Sequence, residues 1–376
     1  MLPMDKKLFP ALVFAALVFI PVLACSCIIA SREISPLYAL PWALFAGVTA
    51  FSVFYTGRVS FFRRIFFSVS ALAFLIHFKF GIFLKGFDLS CFKDTPYCHL
   101  AIAPSFLNYL YQQYLAFMSG GWKLWGPLSL VFLWLFSTLV IGRAWCSWAC
   151  FYGGIDDGLA ALPKKALLKT EKWGLKLRDF PAALLIFLLL ISFANMTPSY
   201  CLWLCPFKLT GVFLDPDDIL IRKVQYGLMC FALVVLVLGP LLTKKRTFCS
   251  FLCPFGAWQA FWGRLNPFRI SIDQQKCSGC LSCAGVCPMY AIKCEPGGKA
   301  EISSYCNLCG ECLKACSAGG INYSILNFKM RCMPDGFGKL LNPESFLVFS
   351  SLTLGAVFSS FWAPAAIRDV AKLINR

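Results

Sequence analysis

Long uncharged apolar runs constrain this chain more than any other feature. Residues 8–30, 37–56, 124–141, 224–242 and 345–367 carry no Asp, Glu, Lys or Arg, and runs of about 18 such residues are the length a membrane-spanning helix needs. Only 14% of the 376 residues are charged and 59% are hydrophobic, against roughly 25% charged in soluble domains. The expected fold class is an all-α polytopic membrane protein with about six or seven transmembrane helices. The expected helices are 8–30, 37–56, 65–81, 124–141, 181–196, 224–242 and 345–367. Arg58, Arg63 and Arg64 read as one cytoplasmic turn, and Lys244, Lys245 and Arg246 as another. The net charge of +17 is therefore read as a positive-inside bias rather than a nucleic-acid surface. The run after the basic start at Lys6 and Lys7 is too long for a signal peptide.

Between these runs, residues 86–123 are expected on the outer face. Phe106, Tyr109, Leu110, Gln113 and Phe117 recur there at helical spacing, the pattern of a helix lying in the interface. Residues 155–180 carry Lys164, Lys165, Lys169, Lys172, Lys176 and Arg178 and read as a lipid-bound interfacial helix, or as a docking surface for an acidic donor. Two histidines, His77 and His99, leave little for haem.

Cysteine spacing supplies the chemistry. Residues 277–288 read CSGCLSCAGVCP and residues 306–317 read CNLCGECLKACS. Each run places three cysteines two residues apart and a fourth three residues later. Four soft thiolates per run match a [4Fe–4S] cubane, and in two-cluster modules the fourth cysteine crosses over. That rule pairs Cys277, Cys280, Cys283 and Cys316 as one set and Cys306, Cys309, Cys312 and Cys287 as the other. Zinc sites use paired C-x2-C motifs instead. The expected domains are a transmembrane domain over 1–266, a small α+β two-[4Fe–4S] ferredoxin-like module over 267–330, and a final helix and tail over 331–376.

Three C-x3-C pairs remain: Cys146/Cys150, Cys201/Cys205 and Cys249/Cys253, the last two followed by Pro206 and Pro254. Together with the ferredoxin repeat they resemble the membrane polyferredoxins of the NapH, NosR and MauN type. Phe151 stands where the first pair would have its proline, and the third pair is an addition to the pattern. The resemblance implies an electron-transfer subunit, akin to a quinol dehydrogenase component, in a bacterial inner membrane with its ferredoxin module in the cytoplasm. It implies redox partners, a cytoplasmic donor or a periplasmic acceptor, and contact with lipid and the quinone pool. Counting helices places Cys146, Cys150, Cys249 and Cys253 inside and Cys91, Cys98, Cys201 and Cys205 outside, the two layers a hydrocarbon core of about 30 Å apart. These pairs fit three readings: ligands of a further Fe–S cluster, redox thiols or disulfides, or small apolar side chains. The competing functions are a transmembrane thiol or metal-ion reductase acting through the outer cysteines, and a redox-sensing assembly or regulatory protein.

Overall fold

The computed structural model describes residues 4–30, 36–85, 98–121, 127–209, 218–294, 300–325 and 342–374. Four helical stretches are long and apolar enough to cross a membrane: Leu8–Ile28, Pro36–Thr56, Val59–Lys79 and Ile219–Thr243. Helices Pro343–Ser359 and Ala363–Ile374 make a fifth if their 50° bend is one broken span. The six or seven expected spans are therefore not met among the described residues. Helix Phe180–Asn195 has 16 residues, about 24 Å at 1.5 Å per residue, and falls short of a hydrocarbon core of about 30 Å. The spans turn large apolar side chains outward, with Phe9 74% and Ile20 62% exposed, as lipid contact demands.

The first two helices pack closely because Gly47 lies under Phe19, where an added Cβ would meet the Phe19 Cβ at 3.3 Å. The C-terminal run breaks after Ser359 instead of continuing to Ile367. Its serines are packing groups: Ser360 pairs with Ser26 at 2.8 Å and Ser359 with Ser70. The indole of Trp362 donates to the Ser70 carbonyl at 3.1 Å.

Arg58 and Lys244–Arg246 lie in turns between helices, as expected, and several of the charges expected to mark turns also hold distant segments together. The chain reverses at Gly57, whose φ of +71° suits glycine, and Arg63 and Arg64 already lie inside helix Val59–Lys85. Arg63 is fully buried, 3.1 Å from Asp157. The expected interfacial helix over 155–180 is absent. Residues Phe151–Ala161 form a helix whose inner face carries Asp156 and Asp157, and a short helix, Glu171–Lys176, sets Gly174 against the Tyr290 ring. The stripe expected on the outer segment splits, since Tyr109 is buried while Leu110 and Phe117 are exposed. Residues 99–102, expected at the surface, are core.

The cysteine-rich module carries two antiparallel ladders, Phe268–Ile272 with Ile321–Ile325 and Ile292–Cys294 with Ala300–Ile302. Each cysteine run leads into a five-residue helix, Ser282–Val286 or Glu311–Ala315. The module sits on the helices through four cationic or polar clasps. Lys245 donates from Nζ to the carbonyls of Gly285 at 2.6 Å and Cys287 at 2.9 Å, and the Arg246 N–H donates to Pro288 at 2.9 Å. Arg143 donates to the Ser304 carbonyl, and the Ser147 hydroxyl to that of Asn307 at 2.8 Å.

Candidate functional site

The cysteine module folds the same way twice. Gly279 and Leu281 flank Cys280 with φ of +70° and +55°, and Leu308 and Gly310 flank Cys309 with φ of +56° and +77°. These left-handed residues curl each loop around its own sulfurs. The fourth cysteine of each run accepts an N–H from four residues on: Ala291 to Cys287 at 3.4 Å and Gly320 to Cys316 at 3.3 Å. Cys277, Cys280, Cys283 and Cys316 line one cavity. Cys287, Cys306, Cys309 and Cys312 line a second. Each cavity thus takes three sulfurs from one run and the last from the other.

Burial pushes the thiol of Cys306 up to about 12, with Cys309 and Cys287 adding to it, and burial likewise pushes Cys309 to about 11. A buried thiol of this kind keeps its proton unless a cation replaces it. Cys280 is exposed, and hydrogen bonds from the Ser282 N–H, then the Ser282 and Ser278 hydroxyls, lower it. Among the described residues no group of three or more His, Cys, Asp or Glu could hold a single metal ion. Cubane ligands, one per iron, are not required to meet at one point, so the donor sets fit clusters.

The three C-x3-C pairs share one local geometry. The first cysteine rides a short turn, Trp145–Trp148, Ser199–Trp203 or Thr247–Phe251. The turn then breaks at Ala149, Leu204 or Leu252, each with φ near −120°. Cys150 and Cys253, the second cysteines of two pairs, are extended, and the second cysteine of all three pairs directly precedes the next helix. The two sulfurs of a pair therefore do not share one continuous helix face, contrary to the i, i+4 expectation. Position one of the following helix suits proline, and Phe151 occupies it without breaking the pattern.

Two of the pairs come together. Cys150 lies within electrostatic range of Cys146 and Cys253, Cys249 of Cys253 and Cys150, and Cys253 of Cys146. Their backbones are cross-braced. The Asp156 carboxylate, from the first pair's helix, accepts the Cys249 N–H at 2.8 Å. The Arg246 guanidinium, just before the second pair, donates to the Cys146 carbonyl at 3.0 Å. Arg246 also grips Asp157 through Nε at 3.0 Å and Nη2 at 2.9 Å. Burial alone would raise the Asp157 carboxyl, but Arg246, Arg63 and Arg64 outweigh it and hold it below the usual carboxylate range. Two arginines join this set to the cysteine module. Arg143 faces Cys146 and Cys253 on one side and Cys306 on the other, and Arg246 faces both Cys249 and Cys309.

The third pair is not a membrane thickness away. Cys201 and Cys205 lie with Cys98, while Cys91 lies outside the described residues. The residue after Cys98 is His99, whose Nε2 is 3.2 Å from the Cys150 sulfur. Tyr152, two residues past Cys150, has its hydroxyl 3.2 Å from the Cys205 sulfur. Tyr200 is buried facing Cys205, Cys253, Cys201 and Cys98. The expected separation into inner and outer layers therefore fails. The short helix Phe180–Asn195 and the buried segment 99–102 bring Cys201, Cys205 and Cys98 beside the first two pairs. Lys208 lies near Cys201 and Cys205, its amine lowered to about 8 by burial against their opposing pull. His77, by contrast, pairs with Asp369 at 3.3 Å and takes no part.

Residues 124–170, 180–215 and 226–272 match the family model "4Fe-4S binding domain", and residues 269–317 match "4Fe-4S dicluster domain". The chain is 30% identical over 156 residues to the methylamine utilization ferredoxin-type protein MauN of Methylobacillus flagellatus, covering 41% of this chain and 50% of that one. It is 26% identical over 183 residues to the ferredoxin-type protein NapH of Escherichia coli, covering 46% and 59%. It is 28% identical over 202 residues to the regulatory protein NosR of Pseudomonas aeruginosa, covering 51% and 27%. The chain thus spans about half the length of MauN and NapH, and less of NosR. No solved structure matches it. The matched cluster-binding domains, the apolar spans and these relatives together make the chain a 4Fe-4S-domain protein similar to the membrane ferredoxin-type proteins NapH, NosR and MauN.

Proposed function

We propose that this chain conducts electrons between a donor and an acceptor through a file of thiol-bound centres. Two [4Fe–4S] clusters would be held by Cys277, Cys280, Cys283 and Cys316 and by Cys287, Cys306, Cys309 and Cys312, within a module spanning 267–330. A further Fe–S centre would be held by Cys146, Cys150, Cys249 and Cys253. Clusters of this kind supply one-electron chemistry when bound. The residues around them hold, orient and dry the sites. The observation that carries this reading is the pair of arginines shared between sets: Arg143 facing Cys306, Cys146 and Cys253, and Arg246 facing Cys309 and Cys249. Fixed positive charge between two anionic centres favours reduction of both. The module would face the cytoplasm of a bacterial inner membrane, consistent with the exposure of Lys164, Lys165 and Lys169. A cavity of about 260 Å³ lined by Cys306, Arg143, Arg264 and Arg269, and by no acidic residue, favours an acidic donor protein. Quinone would find an apolar cleft lined by Tyr200, Trp203, Phe231 and Phe248.

The gathering of Cys98, Cys201 and Cys205 favours a second reading, reduction of an external disulfide or metal ion at this trio. Thiol alkylation in intact cells decides it, for the trio must become reactive during turnover. The main reading is tested by iron analysis with EPR on the purified protein. About twelve irons per chain supports three four-iron centres, whereas about eight leaves only the two of the ferredoxin module.

A further inference from the structure

His99 is a buried group that this reading leaves without a task. It begins the short helix His99–Ile102 and is only 3% exposed. Its ring is boxed by Trp145, Phe151, Phe255 and Phe358, with centroids 5.8, 5.3, 4.9 and 5.7 Å away. A polar ring in so apolar a box needs a reason. Its Nε2 lies 3.2 Å from the Cys150 sulfur, and its Nδ1 is buried with no hydrogen-bond partner among the described residues. A neutral imidazole carries one N–H. Placed on Nδ1, that hydrogen would be stranded among aromatic faces, and a bare Nε2 would confront the sulfur lone pairs. Placed on Nε2, it meets the sulfur as donor to acceptor. With the Cys150 sulfur bound to iron and carrying no hydrogen of its own, the Nε2–H tautomer is the one that places a donor on it.

We infer that His99 donates its Nε2–H to the Cys150 sulfur and thereby sets the reduction potential of the centre held by Cys146, Cys150, Cys249 and Cys253. The inference rests on that centre being present. Adding an electron to a cluster puts more negative charge on its sulfurs, and a donor aimed at one of them stabilises the reduced form more than the oxidised one. Hydrogen bonds to cluster sulfurs are among the levers that set such potentials, and a donor in a dry aromatic box is screened little. His99 acts through the Cys150 sulfur and is a positioning residue, not a ligand. Among the described residues Cys253 receives backbone N–H groups, from Gly256 at 3.4 Å and from Phe255, and the Cys249 sulfur has the Asp156 carboxyl as its side-chain partner.

The test uses the purified full chain, titrated potentiometrically with EPR detection, as wild type, His99→Phe and His99→Gln. Phenylalanine preserves the aromatic packing without a donor, and glutamine restores an N–H at similar reach. In His99→Phe the iron content is expected to stay at the wild-type value while one signal shifts to lower potential. The expected shift is about tenfold in its one-electron equilibrium, or 59 mV, and His99→Gln should recover part of it. The chain has two histidines, and His77 is engaged with Asp369. Isotopically labelled histidine therefore reports on His99: a weak nitrogen coupling to the shifting signal, lost in His99→Phe, supports the inference. Unmoved potentials at full iron content overturn it, as does loss of iron in His99→Phe, which would make His99 a ligand. A wild-type content of about eight irons removes the centre itself, and the inference with it.

Discussion

Replacing Asp157 by asparagine removes the one carboxylate shared by two fully buried guanidiniums. Asp157 is 2% exposed, while Arg63 and Arg246 are fully buried. Its Oδ2 meets Arg63 at 3.1 Å and its Oδ1 meets Arg246 at 2.9 Å. At about 3 Å and an effective dielectric of about 20, each contact amounts to roughly 5 kcal/mol before desolvation is counted. Breaking a buried pair by removing one partner costs about 3–5 kcal/mol net, because the other charge stays buried and uncompensated. Here Arg246 loses its carboxylate outright and Arg63 keeps only the longer contact to Glu311 at 3.4 Å, so Asp157→Asn should fall at the upper end. Glu311→Gln is the internal control. Glu311 also touches Arg63 at 3.4 Å and Arg64 at 3.2 Å, but it is 15% exposed and Arg64 36%. Its loss should cost clearly less, closer to the 0–1 kcal/mol of a solvent-screened pair. The assay is the denaturation midpoint of the detergent-solubilised protein, followed by tryptophan fluorescence and by visible cluster absorbance. Because Arg246 also braces Cys146 and contacts Pro288, both probes should shift together in Asp157→Asn. Equal midpoints for Asp157→Asn and Glu311→Gln would refute the buried-network account.

Acid should remove the same network. The Asp157 pKa is depressed on folding, so its contribution is fully present above the unfolded value of about 3.9 and is lost as pH falls below that toward the depressed folded value. Midpoints measured from about pH 5 downward should decline more steeply in wild type than in Asp157→Asn. Lys245→Met deletes the donors to the Gly285 and Cys287 carbonyls at about 1.5–3 kcal/mol for charged hydrogen bonds. It should loosen the cysteine module selectively, seen as faster amide exchange at 282–287 with the apolar helices unchanged. Gly355→Ala would place a Cβ 2.5 Å from the Trp148 carbonyl oxygen, and overpacking of about 1–3 kcal/mol should lower the midpoint without changing iron content.

Local chemistry was legible in the residues and long-range contact was not. The two cysteine runs declare themselves because curled loops and close spacing are properties of a dozen consecutive residues; Cys277, Cys280, Cys283 and Cys316 line one cavity and Cys306, Cys309, Cys312 and Cys287 the other. The C-x3-C pairs were equally visible, but their arrangement was not. Arg63, Lys245 and Arg246 end or begin apolar runs, and a cation in that place looks the same whether it faces water or a carboxylate. Only folding reveals that Arg246 meets Asp157, 89 residues away. The Asp156–Asp157 pair passed unnoticed although two acids in an apolar stretch signal a buried partner. The contact of His99 with Cys150 is not legible because nothing in the sequence forecasts a contact across a separation of 51 residues. Helix count misled for a related reason: hydropathy reports that a segment is apolar, not how far across a bilayer it reaches.

The unequal covering of the two cysteine cavities bears on how the protein is built. Cys287, Cys309 and Cys312 are buried, beneath a surface that Arg143, Ser147 and Arg63 grip from the helices. Cys280 stands exposed at the far cavity. A delivery protein would reach the far cavity directly in the finished molecule, whereas the near one opens only beside Cys306, next to the Arg143 clasp. If both cavities hold clusters, the seated module leaves iron and sulfide a narrower route to the near one, and the far cluster should be the easier to strip with a chelator and to refill.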